Sequence, residues 1–221
     1  MRDRPALRPH AAPAPPDVAA RASLRYIRET MARTAAFTAV PGWGGVLMGT
    51  TALVAAALAA QQETALAWLR VWGTEALVGF ALGLATTWRK AQAGGVPMLS
   101  GAGRKFLLGL FPALATGVVL TLAVYGFDAG AVQDAAVPRV PVEASATGQL
   151  LPGLWLLVYG AGVVAAGAFS VRPVPLMGAA LMATGALALL APAAWGDAFL
   201  AFGFGGLQMA FGVWIARSHG G

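Results

Sequence analysis

The chain contains no cysteine, and its only two histidines, His10 and His219, lie close to its ends. The lack of cysteine excludes a disulfide framework, a thiol nucleophile and a thiolate metal site. No cluster of metal ligands is visible, and no nucleophile has a base at a plausible spacing. We therefore expect a protein that is not an enzyme and that carries no metal or cofactor.

Charge is also scarce, because only 11% of the 221 residues are charged while 58% are hydrophobic. A soluble domain of this size needs more charge to cover its surface. The 29 glycines are typical of membrane helices, where small residues let two backbones approach each other. The composition predicts an all-α fold, namely a polytopic bundle of transmembrane helices.

Six apolar stretches are long enough to cross a hydrocarbon core of about 30 Å, which takes about 20 helical residues. These predicted spans cover residues 43–60, 66–88, 106–126, 152–171, 174–194 and 198–216. Tryptophans fall near the ends of the spans, where the sequence predicts that they anchor the protein at the lipid headgroups; they are Trp43, Trp68, Trp72, Trp88, Trp155, Trp195 and Trp214.

The basic residues are distributed unevenly between the connections. If the N-terminus is inside, thirteen of the fifteen Lys and Arg residues are on the inner side, and only Arg70 and Arg139 are outside. This asymmetry predicts a protein of the bacterial cytoplasmic (inner) membrane with both termini in the cytoplasm. Because the basic residues form no continuous patch, we expect no direct contact with nucleic acid.

The first 40 residues precede the first span and divide into two parts. Residues 1–16 are rich in proline and are predicted to be disordered. Residues 17–40 predict a basic amphipathic helix with Arg21, Arg25 and Arg28 on one face. This helix either lies on the anionic cytoplasmic surface of the membrane or packs on the cytoplasmic loops of the protein itself.

Two further connections are long enough to carry function. The inner connection 89–105 is basic, and its Arg104 and Lys105 act as a positive-inside anchor or contact a phosphate or a partner. The outer connection 127–151 has no strong periodicity and predicts an irregular loop.

A weak internal repeat relates the first and fourth spans. Pro41-Gly42 and Gly49 recur as Pro152-Gly153 and Gly160, at an offset of 111 residues. Each copy opens three spans, so the halves would have opposite orientations, as in secondary transporters. The alternative is chance similarity between helices rich in Ala and Gly.

Two residues within the spans are candidates for function. Glu75 is an ionisable group inside the second span, where a charge is costly. It is either an interfacial or interhelical group held by Arg70 and Thr74, or a carboxylate that carries a proton or binds a ligand. Gln208 follows a glycine-rich run in the sixth span, and its amide either bonds to a neighbouring helix or lines a path.

A set of short segments is specific in combination, namely residues 25–28, 37–44, 101–106, 151–153, 155, 159–160, 167–172, 203–207, 215–217 and 219–221. In these segments the chain resembles a family of uncharacterised six-span bacterial integral membrane proteins. The resemblance covers about residues 23–221. It implies a six-span membrane protein and no established activity. Members of the family often have His at the position of Gln208, so a proton or metal role would not transfer to this chain.

Two functions are consistent with these features. The first is a non-enzymatic sensing or relay protein that acts through its basic cytoplasmic arm. The second is a small-solute or proton-coupled transporter with Glu75, Thr74 and Gln208 at the interface of two three-helix repeats. The expected partners are the lipid bilayer, a cytoplasmic protein and a second copy of the chain.

Overall fold

A computed structural model describes residues 20–21, 23–27, 37–95, 101–135 and 141–220, with the side chains of residues 130–135 and 143 left aside. The predicted disordered arm, residues 1–16, lies outside this part of the chain, and so does Arg28. Residues 1–35 form one unit and residues 36–221 another. Within the first unit, residues 20–21 and 23–27 are helical and exposed.

The second unit is an all-α bundle, which confirms the predicted fold class. Its described residues include six helices that are long and apolar enough to cross a membrane. We label them α1 to α6: Gly42–Ala59, Ala65–Ala93, Gly101–Ala135, Ala146–Gly167, Pro173–Leu190 and Ala193–His219. The last is composite, with a 3-10 turn Ala193–Trp195, an α-helix Gly196–Leu200, a π-helix Ala201–Leu207 and an α-helix Gln208–His219. We call the end of the bundle where α1 begins and α6 ends the termini side, and the opposite end the far side.

Several helices begin earlier or end later than predicted. Helix α3 begins at Gly101 and continues to Ala135, so Arg104 and Lys105 lie on its first turns and not in a loop. The predicted irregular loop 127–151 is wrong over most of its length, since α3 and α4 occupy both of its ends. Helix α4 begins at Ala146 because the Ser145 side chain accepts a hydrogen bond from the Gly148 amide at 3.1 Å.

The predicted surface helix 17–40 is also too long. From Phe37 to Pro41 the described chain is extended, and Phe37 forms an isolated parallel bridge with Ser170. A residue before proline is disfavoured in the α conformation, so Val40 stays outside the helix. Helix α1 begins directly after Pro41.

Close glycine contacts hold the helices together in pairs. Helices α4 and α5 meet at Gly160 and Gly178, where a Cβ on either residue would lie 2.7 Å from the carbonyl oxygen of the other. Helices α1 and α6 meet where a Cβ on Gly49 would lie 2.7 Å from the Gly205 carbonyl oxygen. Such contacts are possible only for glycine, and they give membrane helices extensive van der Waals contact.

The two copies of the weak sequence repeat do not pack equivalently. Gly42 and Gly49 lie against α6, whereas Gly153 and Gly160 lie against α5. Pro152 lies inside α4, whereas Pro41 precedes α1. The sequence echo therefore does not mark equivalent packing, and an inverted repeat stays a prediction.

Candidate functional site: a buried aspartate, an aromatic cluster and two polar residues in the spans

Asp197 lies at the far side, in the first turn of the α-helical part of α6, and its Oδ1 accepts two indole hydrogen bonds. The donors are Nε1 of Trp68 at 2.8 Å and Nε1 of Trp72 at 3.2 Å. The four-residue spacing places both tryptophans on one face of α2, and both are almost fully buried. These two tryptophans are therefore not headgroup anchors, contrary to the prediction from their position near a span end.

Asp197 lines a cavity of about 60 Å³ that lies between the far-side ends of α1, α2, α4 and α6. Its walls include Gln62, Trp68, Gly148, Pro152 and Gly196. Oδ2 of Asp197 accepts no hydrogen bond from the described residues, whereas Oδ1 accepts two. The arrangement leaves one carboxylate oxygen available at a small, partly open cavity.

An aromatic cluster extends from Asp197 towards the middle of the bundle. It consists of Trp68, Trp72, Trp155, Tyr159 and Phe204. The Trp68 and Trp155 rings are stacked with centroids 5.3 Å apart, and the Tyr159 ring meets Phe204 edge-on at 5.4 Å. The Trp155 indole donates to the Thr121 hydroxyl at 2.8 Å, so α3 also contacts the cluster. The cluster therefore joins α2, α3, α4 and α6 in their far-side halves.

Gln208 lies at the inner end of this cluster, immediately after the π-helix. Its side chain interacts with the Tyr159 hydroxyl, and it is buried, being 6% exposed. Its Oε1 has no hydrogen-bond partner among the described residues. A buried polar atom without a partner is costly, and it is usually explained by a bound water or by function. The π-helix beside it is a second feature that occurs frequently at functional sites.

Glu75 lies elsewhere in the bundle, at the contact between α1 and α2. It is the eleventh residue of α2, about 15 Å along the helix at about 1.5 Å per residue. The Thr51 hydroxyl lies 2.8 Å from its Oε1 and 2.9 Å from the Met48 carbonyl oxygen. The hydroxyl has one proton, so it can donate to both only in turn. When it donates to Met48, a protonated Glu75 can donate to Thr51.

The predicted trio of Glu75, Thr74 and Gln208 is not brought together. The Thr74 hydroxyl donates to the Arg70 carbonyl of its own helix at 2.7 Å and is exposed. Glu75 pairs with Thr51, and Gln208 lies beside Tyr159. Sequence reasoning did not single out Asp197 as a candidate site residue. The available signal was the pair of tryptophans four residues apart.

On the termini side, residues Phe37–Pro41 form a short stretch that we call the anchor segment. It contacts α2, α3 and the turn between α4 and α5 directly, and α6 through Lys90. The Phe37 amide donates to the Phe169 carbonyl at 2.7 Å, and the Ser170 hydroxyl donates to the Phe37 carbonyl at 2.7 Å. The Phe37 ring is 2% exposed and lies 5.1 Å from the Phe106 ring. The anchor segment thus contacts both the start of α3 and the turn between α4 and α5.

Lys90 connects the same segment to the end of α6. Its ammonium donates to the Val40 carbonyl at 2.9 Å and to the His219 carbonyl at 3.2 Å, and it also contacts the Gly220 carbonyl. A cation at a helix C-terminus stabilises carbonyl groups that have no partner within the helix. One side chain of α2 therefore holds together the start of α1 and the end of α6.

The predicted lipid-contact residues differ in their surroundings. Arg21 and Arg25 are exposed in the described part of the arm, and Arg104 is exposed on the first turns of α3. The Lys105 ammonium lies 5.4 Å from the centre of the Phe169 ring, within the range of a cation–π interaction. Lys105 thus also contacts the turn between α4 and α5.

These features define the class: the chain is a multi-pass α-helical membrane protein with polar and aromatic side chains inside the bundle. Comparison with protein-family models, curated proteins and solved structures finds no match. The resemblance to the six-span integral membrane family stays a prediction.

Proposed function

We propose that this chain is a non-enzymatic sensing or relay protein of the bacterial inner membrane, with both termini in the cytoplasm. The orientation is supported by the charges at the helix ends. The termini side carries Arg89, Lys90, Arg104, Lys105, Arg172 and Arg217, and the far side carries Glu63, Arg70, Asp128 and Asp197. Positive charge collects on cytoplasmic connections, and this distribution supports the proposal that the termini side faces the cytoplasm.

The observation that carries the relay proposal is the burial of the anchor segment. It directly follows the basic arm and directly precedes α1. Through Phe37 and Lys90 it contacts the termini-side ends of α2, α3 and α6 and the α4–α5 turn. We expect a displacement of the arm to act on these helix ends, because the anchor segment is held by hydrogen bonds and by the buried Phe37 ring.

Recognition of anionic lipid by the arm is the input of this relay. Arg21 and Arg25 are exposed, and each basic residue near an anionic surface contributes about 1 kcal/mol of attraction. A relay requires two arrangements of the bundle that the arm favours differently. We expect helix shifts of about 1–2 Å between them, the usual size for packed helices.

The relay is tested by measuring a far-side distance while the input is changed at the arm. Because the chain has no cysteine, spin labels can be attached uniquely at Ala60→Cys and Phe127→Cys, both exposed on the far side and carried by the turn after α1 and by α3, respectively. The distance is measured by pulsed electron resonance in phosphatidylcholine vesicles with and without phosphatidylglycerol. We expect a shift with phosphatidylglycerol that disappears when residues 1–36 are deleted.

Two variants locate the coupling. Phe37→Ala removes a buried ring, at a cost of about 3 kcal/mol, and should abolish the shift. Ser170→Ala removes one hydrogen bond and should reduce it. Phe111→Ala is the matched control, because Phe111 is 69% exposed on α3 and should retain the full shift. An identical distance in both lipids, or a shift that survives deletion of the arm, would contradict the relay.

A small-solute or proton-coupled transporter is the second candidate, and the unpaired Oε1 of Gln208 favours it. A path would run from the Asp197 cavity along the aromatic cluster to Gln208. Single Cys variants at Gln208 and Glu75 would be exposed to a membrane-impermeant thiol reagent, with Leu77→Cys as the lipid-facing control. Labelling at Gln208 but not at Leu77 supports transport along this path, and labelling at neither Gln208 nor Glu75 indicates a dry interior.

A further inference from the structure

We propose that the Asp197 cavity is a binding site for a small monovalent cation. The site lies at the far side of the bundle and does not depend on the anchor segment or on the relay. Its elements come from α4, from α6 and from the turn that follows α1.

Oxygen atoms with unused acceptor capacity meet at this cavity. Oδ1 of Asp197 accepts both indole hydrogen bonds, so Oδ2 is left for another donor or a cation. The second oxygen is the Gly148 carbonyl. Pro152 has no N–H, so this carbonyl lacks the donor that the residue four positions later normally supplies.

Gly196 packs closely against the turn of α4 that carries this carbonyl. A Cβ on Gly196 would lie 2.9 Å from Cγ of Pro152 and 3.5 Å from the Gly148 carbonyl oxygen. Asp197 follows Gly196 directly, and both residues line the cavity together with Gly148. Gln62 also lines the cavity, and because its Nε2 donates to the Leu58 carbonyl at 2.9 Å, its side-chain Oε1 keeps its acceptor capacity.

The chemistry and the size of the cavity select the class of ligand. Oxygen ligands suit hard cations, and carbonyl groups freed from a helix combine with carboxylates at the monovalent-cation sites of membrane proteins. No group of three or more His, Asp or Glu side chains converges within the described residues, so one carboxylate favours a single positive charge. About 60 Å³ fits a small ion with part of its water shell.

The indole pair holds the carboxylate in place for this role. Trp68 is stacked on Trp155 and buried, so its N–H has a fixed direction towards Asp197. A cation at Oδ2 would change the field at both indoles, which makes tryptophan fluorescence a direct readout of binding.

The test is a titration of the full chain in phosphatidylcholine nanodiscs with sodium, potassium or ammonium chloride. N-methylglucamine chloride keeps the ionic strength constant, and tryptophan emission and the thermal unfolding midpoint are both recorded. We expect a saturable change in emission and a rise in the midpoint with at least one of the three cations. Sodium or potassium identifies an inorganic ion as the ligand, and a response to ammonium alone identifies a protonated amine.

Two variants and one control make the assignment specific. Asp197→Asn keeps an acceptor for both indoles, and we expect it to weaken binding at least tenfold. Pro152→Ala restores a backbone donor to the Gly148 carbonyl and should weaken binding several-fold without touching Asp197. Glu63→Gln removes an exposed carboxylate on the same side and should leave the apparent affinity unchanged.

The proposal is overturned if the wild-type chain shows no saturable response to any of the three cations. It is also overturned if Asp197→Asn and Pro152→Ala both titrate with the wild-type affinity. A response to tetramethylammonium equal to that for the small cations would contradict the size of the site. Should Asp197→Asn fail to fold, Pro152→Ala alone decides the outcome.

Discussion

Replacing Gly178 by alanine should separate α4 from α5. The added Cβ would lie 2.7 Å from the Gly160 carbonyl oxygen and 2.7 Å from the Val164 backbone nitrogen. Carbon atoms in good contact are about 3.5–4.0 Å from their neighbours, so both helices would have to move apart by several tenths of an ångström or more. Backbone atoms cannot yield by changing a rotamer, so the close contact between the helices is lost.

The magnitude follows from two opposing effects. Alanine favours the helix over glycine by about 1 kcal/mol, and overpacking in a close contact costs about 1–3 kcal/mol. Gly117→Ala on α3 is the matched control, because a Cβ there meets nothing within 4 Å and brings only the helix preference. We therefore expect Gly178→Ala to be less stable than Gly117→Ala by about 1–3 kcal/mol.

The assay is equilibrium unfolding of the full chain in mixed micelles, followed by tryptophan fluorescence and circular dichroism. Gly160→Ala adds a further check, because its Cβ would lie 2.7 Å from the Gly178 carbonyl oxygen. A single separation of the helices relieves both clashes, so the double variant should cost less than the sum of the two single variants. Equal stability of Gly178→Ala and Gly117→Ala would refute the close packing of α4 on α5.

Three further changes test other contacts by the same unfolding assay. Asp128 accepts hydrogen bonds from the Ala146 and Thr147 amides at the start of α4, at 2.8 Å each. Asp128→Ala should therefore destabilise the chain by about 1–2 kcal/mol, because the first turn of α4 loses its cap. A change below about 0.3 kcal/mol would argue against this cap. Thr121→Val leaves the Trp155 indole without its acceptor and should cost about 1–3 kcal/mol, and an unchanged indole emission would speak against that bond. Lys90→Met removes the ammonium that donates to the Val40 carbonyl and to the end of α6, so amide hydrogen exchange in the last turn of α6 should become faster. Arg89→Met, at an exposed neighbour, is the control. Equal exchange in the two variants would count against the contact between Lys90 and α6.

The exposed faces of α2 and α3 agree with a membrane environment. Leu77 and Phe80 on α2 and Leu122 and Phe127 on α3 are all at least 60% exposed in the absence of lipid. In water such apolar surfaces would promote aggregation, but lipid tails are as apolar as these side chains. The two helices therefore bury little surface within the bundle and turn the rest towards the bilayer.

The amino-acid sequence by itself determined the class of the fold and the number of spans. Crossing the hydrocarbon core requires about 20 apolar residues, and this requirement is local, so counting residues locates each helix. Sequence reasoning misplaced the helix ends in two cases. Helix α4 begins at a cap made by Ser145, and α3 extends beyond its apolar run. Both depend on individual polar contacts, which the average apolarity of a window does not report.

Only the tertiary structure decided which polar groups meet. The membrane helices are apolar on nearly every face, so the sequence does not fix how each helix is rotated about its axis. Rotation decides that Glu75 meets Thr51, that Gln208 meets Tyr159, and that Trp68 reaches Asp197 across 129 positions of the chain. The glycine contacts between helices set these rotations, because two helices approach closely only where a glycine leaves the backbone without a side chain.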